Sequence, residues 1–249
     1  MTVRLFVPYF QPNILCPLPP DQAHYVVHVM RLRDGDLLHI FNESLGEFEG
    51  VLKLGGAKVS SKSVFVFPTK LLRTSQPPER LLKLAFSPLK PQSLHFLVEK
   101  ATELGVTHLQ PLQMTRTQGK SFLVEKMQKI IQDAAEQSER LTLPRLEPLK
   151  KLKNFWEEME CADPEKNEQR MTWFVALERE DAPLLSALRF SEESPLVPFP
   201  QNVGIIIGPE GGFSPEEKKS LPPCVIPVSL GKYILRAETA AVYALSFLS

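Results

Sequence analysis

Residues 203–249 read VGIIIGPEGGFSPEEKKSLPPCVIPVSLGKYILRAETAAVYALSFLS, and the fold turns on this stretch. The run 203–207 is short, apolar, rich in β-branched residues and bounded by glycine, which predicts a buried strand. Gly208-Pro209-Glu210-Gly211-Gly212 follows at once as a loop. Ser214-Pro215-Glu216-Glu217 then spells a capping box, with serine at N-cap, proline at the first helical position and Glu217 at N3. A second strand over 225–230 runs into Gly231, and Arg236-Ala237-Glu238-Thr239 opens an apolar final helix. Two strands thus deliver two glycine-bearing loops to one edge of a sheet, which is where α/β proteins place ligands.

The chain has 249 residues, 43% hydrophobic and 23% charged, enough for a sizeable core and one or two domains. No apolar run approaches the roughly 20 residues of a membrane span. The N-terminus, MTVRLFVPYF, lacks the apolar core of a signal peptide, so a cytoplasmic protein is expected. Three cysteines, Cys16, Cys161 and Cys224, lie far apart and suggest neither a disulfide framework nor a zinc ribbon. Formal net charge is zero but unevenly distributed. Residues 1–70 carry 7 basic against 6 acidic side chains, 71–153 carry 14 against 8, and 154–249 carry 8 against 15. A basic middle attracts phosphate, although solvated helix faces of differing sign explain the pattern as simply.

Outward from the C-terminal stretch, residues 1–70 predict a small β-rich unit with strands near 3–7, 37–41, 48–54 and 64–67. One helix interrupts them over 21–30, with Asp21 expected as its cap. Thr74-Ser75-Gln76-Pro77-Pro78 is the best linker candidate. Beyond it strands at 81–86, 108–112, 172–177 and 203–207 alternate with helices at 92–104 and from Ser121 to about Arg140. Residues 153–171 are charged and predict a helix followed by an exposed loop. Alternation of this kind implies a mostly parallel sheet covered on both faces.

Several motifs fail on inspection. His24 and His28 stand at i, i+4, but a zinc hydrolase needs glutamate after the first histidine, and Tyr25 is there. Gly119-Lys120-Ser121 ends like a phosphate-binding loop, yet the glycine required five residues earlier is Met114. No G-x-G-x-x-G follows a strand, so a dinucleotide site is unsupported. The loop 208–212 remains. Three glycines in five residues allow close backbone approach to a ligand, and they equally serve a tight turn. Arg236 and Glu238 beside a helix start are open to reading as a surface ion pair or as local caps.

Gly208-Pro209-Glu210-Gly211-Gly212-Phe213-Ser214, taken with Leu230-Gly231 and Ile234-Leu235-Arg236-Ala237-Glu238-Thr239-Ala240, resembles the RsmE-type methyltransferases of the SPOUT superfamily. Residues 98–106 (VEKATELGV), 135–140 (AEQSER) and 28–36 (HVMRLRDGD) extend the likeness over nearly the whole chain. Tyr233, where many members have a basic residue, Glu139, where a small one is usual, and the acidic stretch 157–168 depart from the pattern.

The resemblance implies an α/β protein: a PUA-like RNA-binding β-barrel domain over residues 1–72, then a SPOUT trefoil-knot methyltransferase domain over 73–249. It implies methylation of N3 of one uridine in 16S ribosomal RNA, with S-adenosyl-L-methionine as cofactor, no metal, and a homodimer in which one subunit completes the other's site. Leu177, Ile207, Gly208, Pro209, Glu210, Gly211, Gly212, Leu230, Gly231, Ile234, Leu235 and Thr239 would hold the cofactor. Arg236 is the first candidate catalytic residue, since a permanently charged planar fork suits an anion delocalised over N3, O2 and O4. Glu238 would orient it or assist proton removal. Arg4, Arg31, Arg33, Arg116, Lys120 and Arg140 are the candidate RNA contacts, chiefly to phosphate. The alternatives are a SPOUT enzyme acting on transfer RNA or a ribose hydroxyl, and a catalytically silent RNA-binding assembly protein.

Overall fold

The computed structural model describes residues 2–55, 63–119, 122–159, 171–178, 182–188 and 202–249. The chain divides into two compact units, Met1–Pro77 with Ala135–Leu143, and Pro78–Ala134 with Pro144–Ser249.

The first unit is built on strands β1 (Arg4–Phe6), β2 (Cys16–Pro17), β3 (Leu37–Asn42), β4 (Gly46–Leu54) and β5 (Val64–Arg73). They pair in the order β1-β3-β4-β5-β2, antiparallel except for β1 against β3. No pairing joins β1 to β2 among the described residues, so the sheet is an open half-barrel rather than a closed one. Register shifts in β4 at Glu47/Phe48 and Glu49/Gly50 supply the curvature. Leu38, Ile40, Leu52 and Val66 are fully buried in its core with Leu5 and Val26.

Helix α1 (Pro20–His24) departs from expectation at its start. Its N-cap is Pro19, which offers no side-chain acceptor, and Pro20 occupies the first helical position. Asp21 is therefore inside the first turn and not at the N-cap, and a carboxylate there suits the helix dipole. The helix then loosens into a π-helical turn over Tyr25–Val29, closed by the Met30 amide on the Tyr25 carbonyl at 2.9 Å.

One charged cluster belongs to this scaffold. Glu47 is 3% exposed and accepts from Arg4 Nε at 2.5 Å and Arg73 Nε at 2.6 Å, with His39 Nδ1 at 3.2 Å. Arg4 also donates to the carbonyl of Glu136 at 2.9 Å and lies 4.6 Å from the Phe41 ring centre.

The second unit holds β6 (Leu82–Phe86), α2 (Pro91–Glu103), β7 (His108–Gln113), most of α3 (Val124–Gln137), β8 (Arg145–Leu146), β9 (Lys150–Lys151), α4 (Leu152–Glu158), β10 (Met171–Ala176), β11 (Asn202–Ile207), α5 (Pro215–Lys219), β12 (Val225–Val228) and α6 (Ala237–Leu248). Its strands run in the order β12-β10-β11-β6-β7-β8, with β9 also on β7, and every pairing is parallel. Each residue of β11 is buried, as a parallel strand covered on both faces requires. Gly204 is needed there for room: a Cβ would come within 2.3 Å of the Trp173 ring on its register partner. The two-residue strands β8 and β9 were not legible beforehand, being too short to carry a period. Cys224 is disulfide-bonded, against the expectation of no bridge. Strand order reverses around β10, because the chain steps from β10 to β11 on one side and then to β12 on the other. That reversal opens a crevice at the strand ends.

Candidate active site

A cavity of about 950 Å³ lies at the carboxyl ends of β10, β11 and β12. Three backbone segments wall it: 176–178 after β10, 207–213 after β11 and 229–237 after β12. Leu177 N bonds Val228 O at 3.0 Å, so the first and third segments leave the sheet as a pair.

The middle segment turns sharply. Gly212 N donates to Pro209 O at 2.8 Å, and Gly212 sits at φ +68°, a left-handed value that favours glycine. The capping box is present as the sequence predicts. Glu217 N reaches Ser214 Oγ at 3.2 Å, and Ser214 N reaches Glu217 Oε2 at 2.8 Å. Glu217 does a second job that no local pattern announces: its Oε1 accepts from the Thr115 amide at 2.7 Å. The neighbouring Arg116 donates from Nη1 to Gly211 O at 2.7 Å. The loop after β7 thus clamps both the glycine loop, at Gly211, and the first turn of α5, at Glu217.

The third segment is more open. Gly231 has φ +132°, Tyr233 is 78% exposed and Ile234 56% exposed. Ser229 is tied down by Ser229 N to Pro183 O and Leu185 N to Ser229 O, both at 2.9 Å. Arg236 caps α6 in extended conformation (φ −64°, ψ 152°) and accepts the Ala240 amide on its carbonyl. Its exposed guanidinium makes no hydrogen bond or ion pair among the described residues. Glu238, in the first turn of α6, accepts from Ser93 Oγ of α2 at 3.0 Å. No hydrogen bond or ion pair joins Arg236 to Glu238, so the orienting role expected for Glu238 is not what the geometry has.

Of the residues expected around a cofactor, Leu177, Ile207, Gly208, Pro209, Glu210, Gly211, Gly212, Leu230, Gly231, Ile234 and Leu235 all line the cavity, together with Arg236 and Glu238. Thr239 does not: it is exposed, and the helical turn that brings Glu238 and Ala240 to the wall carries it elsewhere. Lys90, Ser93, Phe213 and Lys218 line it without having been foreseen. Ser93 sits in an ordinary amphipathic helix, and only the packing of α2 on α6 reveals it.

The basic residues sort differently. Arg31 (φ +57°) and Arg33 are exposed beside the π-helical turn, and Arg116 is exposed at the cavity. Arg4 is corrected outright, since its side chain is only 7% exposed and is engaged by Glu47 and backbone carbonyls. Arg140 is half-buried, and burial holds its pKa below the usual arginine value against the opposing pull of Glu43. Lys120 lies outside the described residues. His24 and His28 are both exposed, with ring centres 4.9 Å apart and planes tilted by 43°, and no group of three metal-binding side chains occurs among the described residues. No described helix is long and apolar enough to cross a membrane.

A parallel sheet with a crevice at its order reversal, two glycine loops and an N-terminal half-barrel define an α/β methyltransferase of the SPOUT class with a PUA-like domain. Family models agree in both parts. An RNA methyltransferase domain matches residues 76–249, and an RNA methyltransferase PUA domain matches 18–58. The chain is 32% identical over 226 residues to ribosomal RNA small subunit methyltransferase E of Rickettsia conorii, covering 90% of this chain and 84% of that one. It is 28% identical to the enzyme of the same name from Bacillus subtilis, covering 92% and 87%. A putative methyltransferase from Legionella pneumophila, solved with bound S-adenosylmethionine, superposes with TM-score 0.80 at 30% identity over all of this chain and 97% of that one. The chain belongs to the ribosomal RNA small subunit methyltransferase E family.

Proposed function

We propose that this protein transfers a methyl group from S-adenosyl-L-methionine to N3 of a uridine in small-subunit (16S) ribosomal RNA. The observation that carries the reading is the cavity, where two glycine loops offer backbone donors and acceptors opposite a free arginine and an anchored glutamate. Its roughly 950 Å³ suits a nucleoside-sized ligand. The turn at Gly212, with no neighbour within 4 Å of where a Cβ would stand, leaves room for a ligand to approach the backbone closely.

The cofactor would lie against segments 207–212 and 230–235 and supply an electrophilic methyl on a sulfonium. The chain's own residues do the rest. Uridine N3 is a poor nucleophile while protonated. Glu238, fixed through one carboxylate oxygen by Ser93, takes that proton on Oε2. Arg236, with no competing partner among the described residues, places its planar fork on the resulting anion. Apolar Leu177, Leu230 and Ile234 keep water from the transfer path. The target base leaves its stack to enter.

The same reading includes threading of the C-terminal segment through a loop, as a trefoil knot. The bonds of Ser229 to Pro183 and Leu185 support close association of the segments that precede β11 and follow β12. It also includes a homodimer. Phe96 on α2 and Tyr243 on α6, helices that pack together, stay 43% and 38% exposed, and a second copy would cover them. Residues 1–72 would act as the RNA-binding domain through Arg31 and Arg33.

The test is mass mapping of small-subunit RNA after incubation with enzyme and labelled cofactor. A single 3-methyluridine is expected. A methyl group on ribose, or labelling of transfer RNA alone, would move the protein to another substrate. No cofactor heat in calorimetry would leave only an RNA-binding role.

A further inference from the structure

Parallel strands buried on both faces favour apolar side chains. One lateral row of the second unit breaks that rule. Lys83 on β6 is in register with His108 on β7, and His108 with Arg145 on β8. Register partners on parallel strands share a face, so three basic side chains stand side by side. Like charges placed opposite one another on a sheet destabilise it.

Their surroundings do not answer the charge. Burial holds Lys83 below its ordinary pKa, with Glu147 opposing and Arg145 adding to the depression. Burial likewise lowers His108, and Lys83 and Arg145 push the same way against Glu147. Glu147 is the one carboxylate acting on the row among the described residues, and it accepts from Arg145 Nε at 2.9 Å. Lys83 Nζ has no hydrogen-bond or ion-pair partner among the described residues.

His108 is held through Thr107. The Thr107 hydroxyl lies 3.0 Å from His108 Nδ1 and 2.9 Å from Leu82 O. That contact occupies Nδ1 in either tautomer and leaves Nε2 without a hydrogen-bond partner among the described residues. Lys83 Nζ and the two Nη groups of Arg145 are thus unanswered donors along one row among the described residues, with the His108 ring between them. Arg145 stands on a two-residue edge strand with its side chain 73% exposed, which leaves the row reachable.

We propose that Lys83, His108 and Arg145 form a phosphate-binding row that holds the RNA backbone at a distance from the cavity. Lys83 aligns with Gly204, three residues before the cavity wall at Ile207. At about 3.3 Å per residue and about 4.8 Å per strand, the row starts about 10 Å below the wall and runs about 10 Å further out to Arg145. A phosphate chain extending from a base in the cavity spans that distance in a few nucleotides. The proposal rests on the reading of the chain as an RNA methyltransferase.

The experiment is RNA binding by the full chain, followed by fluorescence anisotropy with a small-subunit RNA fragment over a salt series. The double variant Lys83→Gln/Arg145→Gln is expected to bind several-fold more weakly, with the slope of log K against log salt reduced by about 1 for each phosphate no longer neutralised. Glu147→Gln is expected to bind more tightly, a gain that damage to the fold does not produce. With saturating RNA the double variant should keep kcat while KM rises, and cofactor affinity should not change. Wild-type affinity and salt slope in the double variant, while the wild type methylates RNA, would overturn the row and leave the enzyme reading intact. A shift in oligomeric state without a change in RNA binding would make it a protein-docking surface and overturn it as well. Absence of both RNA binding and methylation by the wild type would sink both readings together.

Discussion

Arg4 with Glu47 and Arg236 with Glu238 each combine an arginine and a glutamate near the start of an element, yet they do opposite things. In the first unit the carboxylate is 3% exposed and held by two guanidinium groups and an imidazole. In the second, the guanidinium is exposed and unpaired among the described residues, and the carboxylate is tied to a serine instead. A charged group whose partners are all protein is part of the scaffold. One that the fold holds in a cavity without a partner is kept for a ligand.

The largest expected effect tests the open pair. Arg236→Ala should lower the rate of methyl transfer by about 10²–10³-fold, the range seen when a donor to a developing anion is removed. The thermal midpoint should hardly move, because the side chain bonds nothing in the described structure. Single-turnover kinetics beside a melting curve check both halves. A large loss of stability would show that Arg236 is scaffold after all and erase the contrast.

The closed pair should behave in reverse. Glu47→Gln leaves the buried Arg4 and the half-exposed Arg73 without their counter-charge and should cost about 3 kcal/mol of stability in the first unit, most of it at Arg4. Methyl transfer by the folded fraction should survive. Burial pushes the Glu47 carboxyl up, but Arg4 and then Arg73 more than offset this and hold it net below its ordinary value. A depressed carboxyl stabilises the fold above its unfolded pKa, and that stability is lost as pH falls through the folded value. Urea unfolding at stepped acid pH should therefore steepen for the wild type and flatten for Glu47→Gln.

What the sequence disclosed follows the reach of the interactions involved. The capping box at Ser214 and Glu217 spans three residues and was legible. So was the final helix, and so were the glycine loops, whose residues almost all line the cavity. Asp21 was misread as a cap because Pro19 and Pro20 set the helix start by fixing backbone angles, which outweighs a side-chain preference. Arg4 was misread because its partner Glu47 is 43 residues away. Ser93 was missed for the same reason, since Glu238 lies 145 residues on. Thr239 was wrong by one helical step.

The smallest effect sharpens the closed pair from its edge. Arg73 serves Glu47 through Nε and also donates from Nη2 to the backbone oxygen of Glu139 at 3.1 Å. Glu139 follows the end of α3 at φ +60°, a left-handed conformation that costs an L-residue about 1–2 kcal/mol. This explains why a small residue suits the position. Glycine takes that conformation without strain and gives back part of the gain through unfolded-state entropy, about 0.5–1 kcal/mol. The Glu139 carboxylate sits 3.9 Å from Arg73 and is 68% exposed, so its loss matters little. The Arg73 bond to the carbonyl survives any substitution. Glu139→Gly should therefore raise stability by a few tenths to about 1 kcal/mol, read as a higher urea midpoint with an unchanged slope. If the midpoint fell instead, the glutamate side chain, and not only the backbone it carries, would count among what holds Arg73 in place against Glu47.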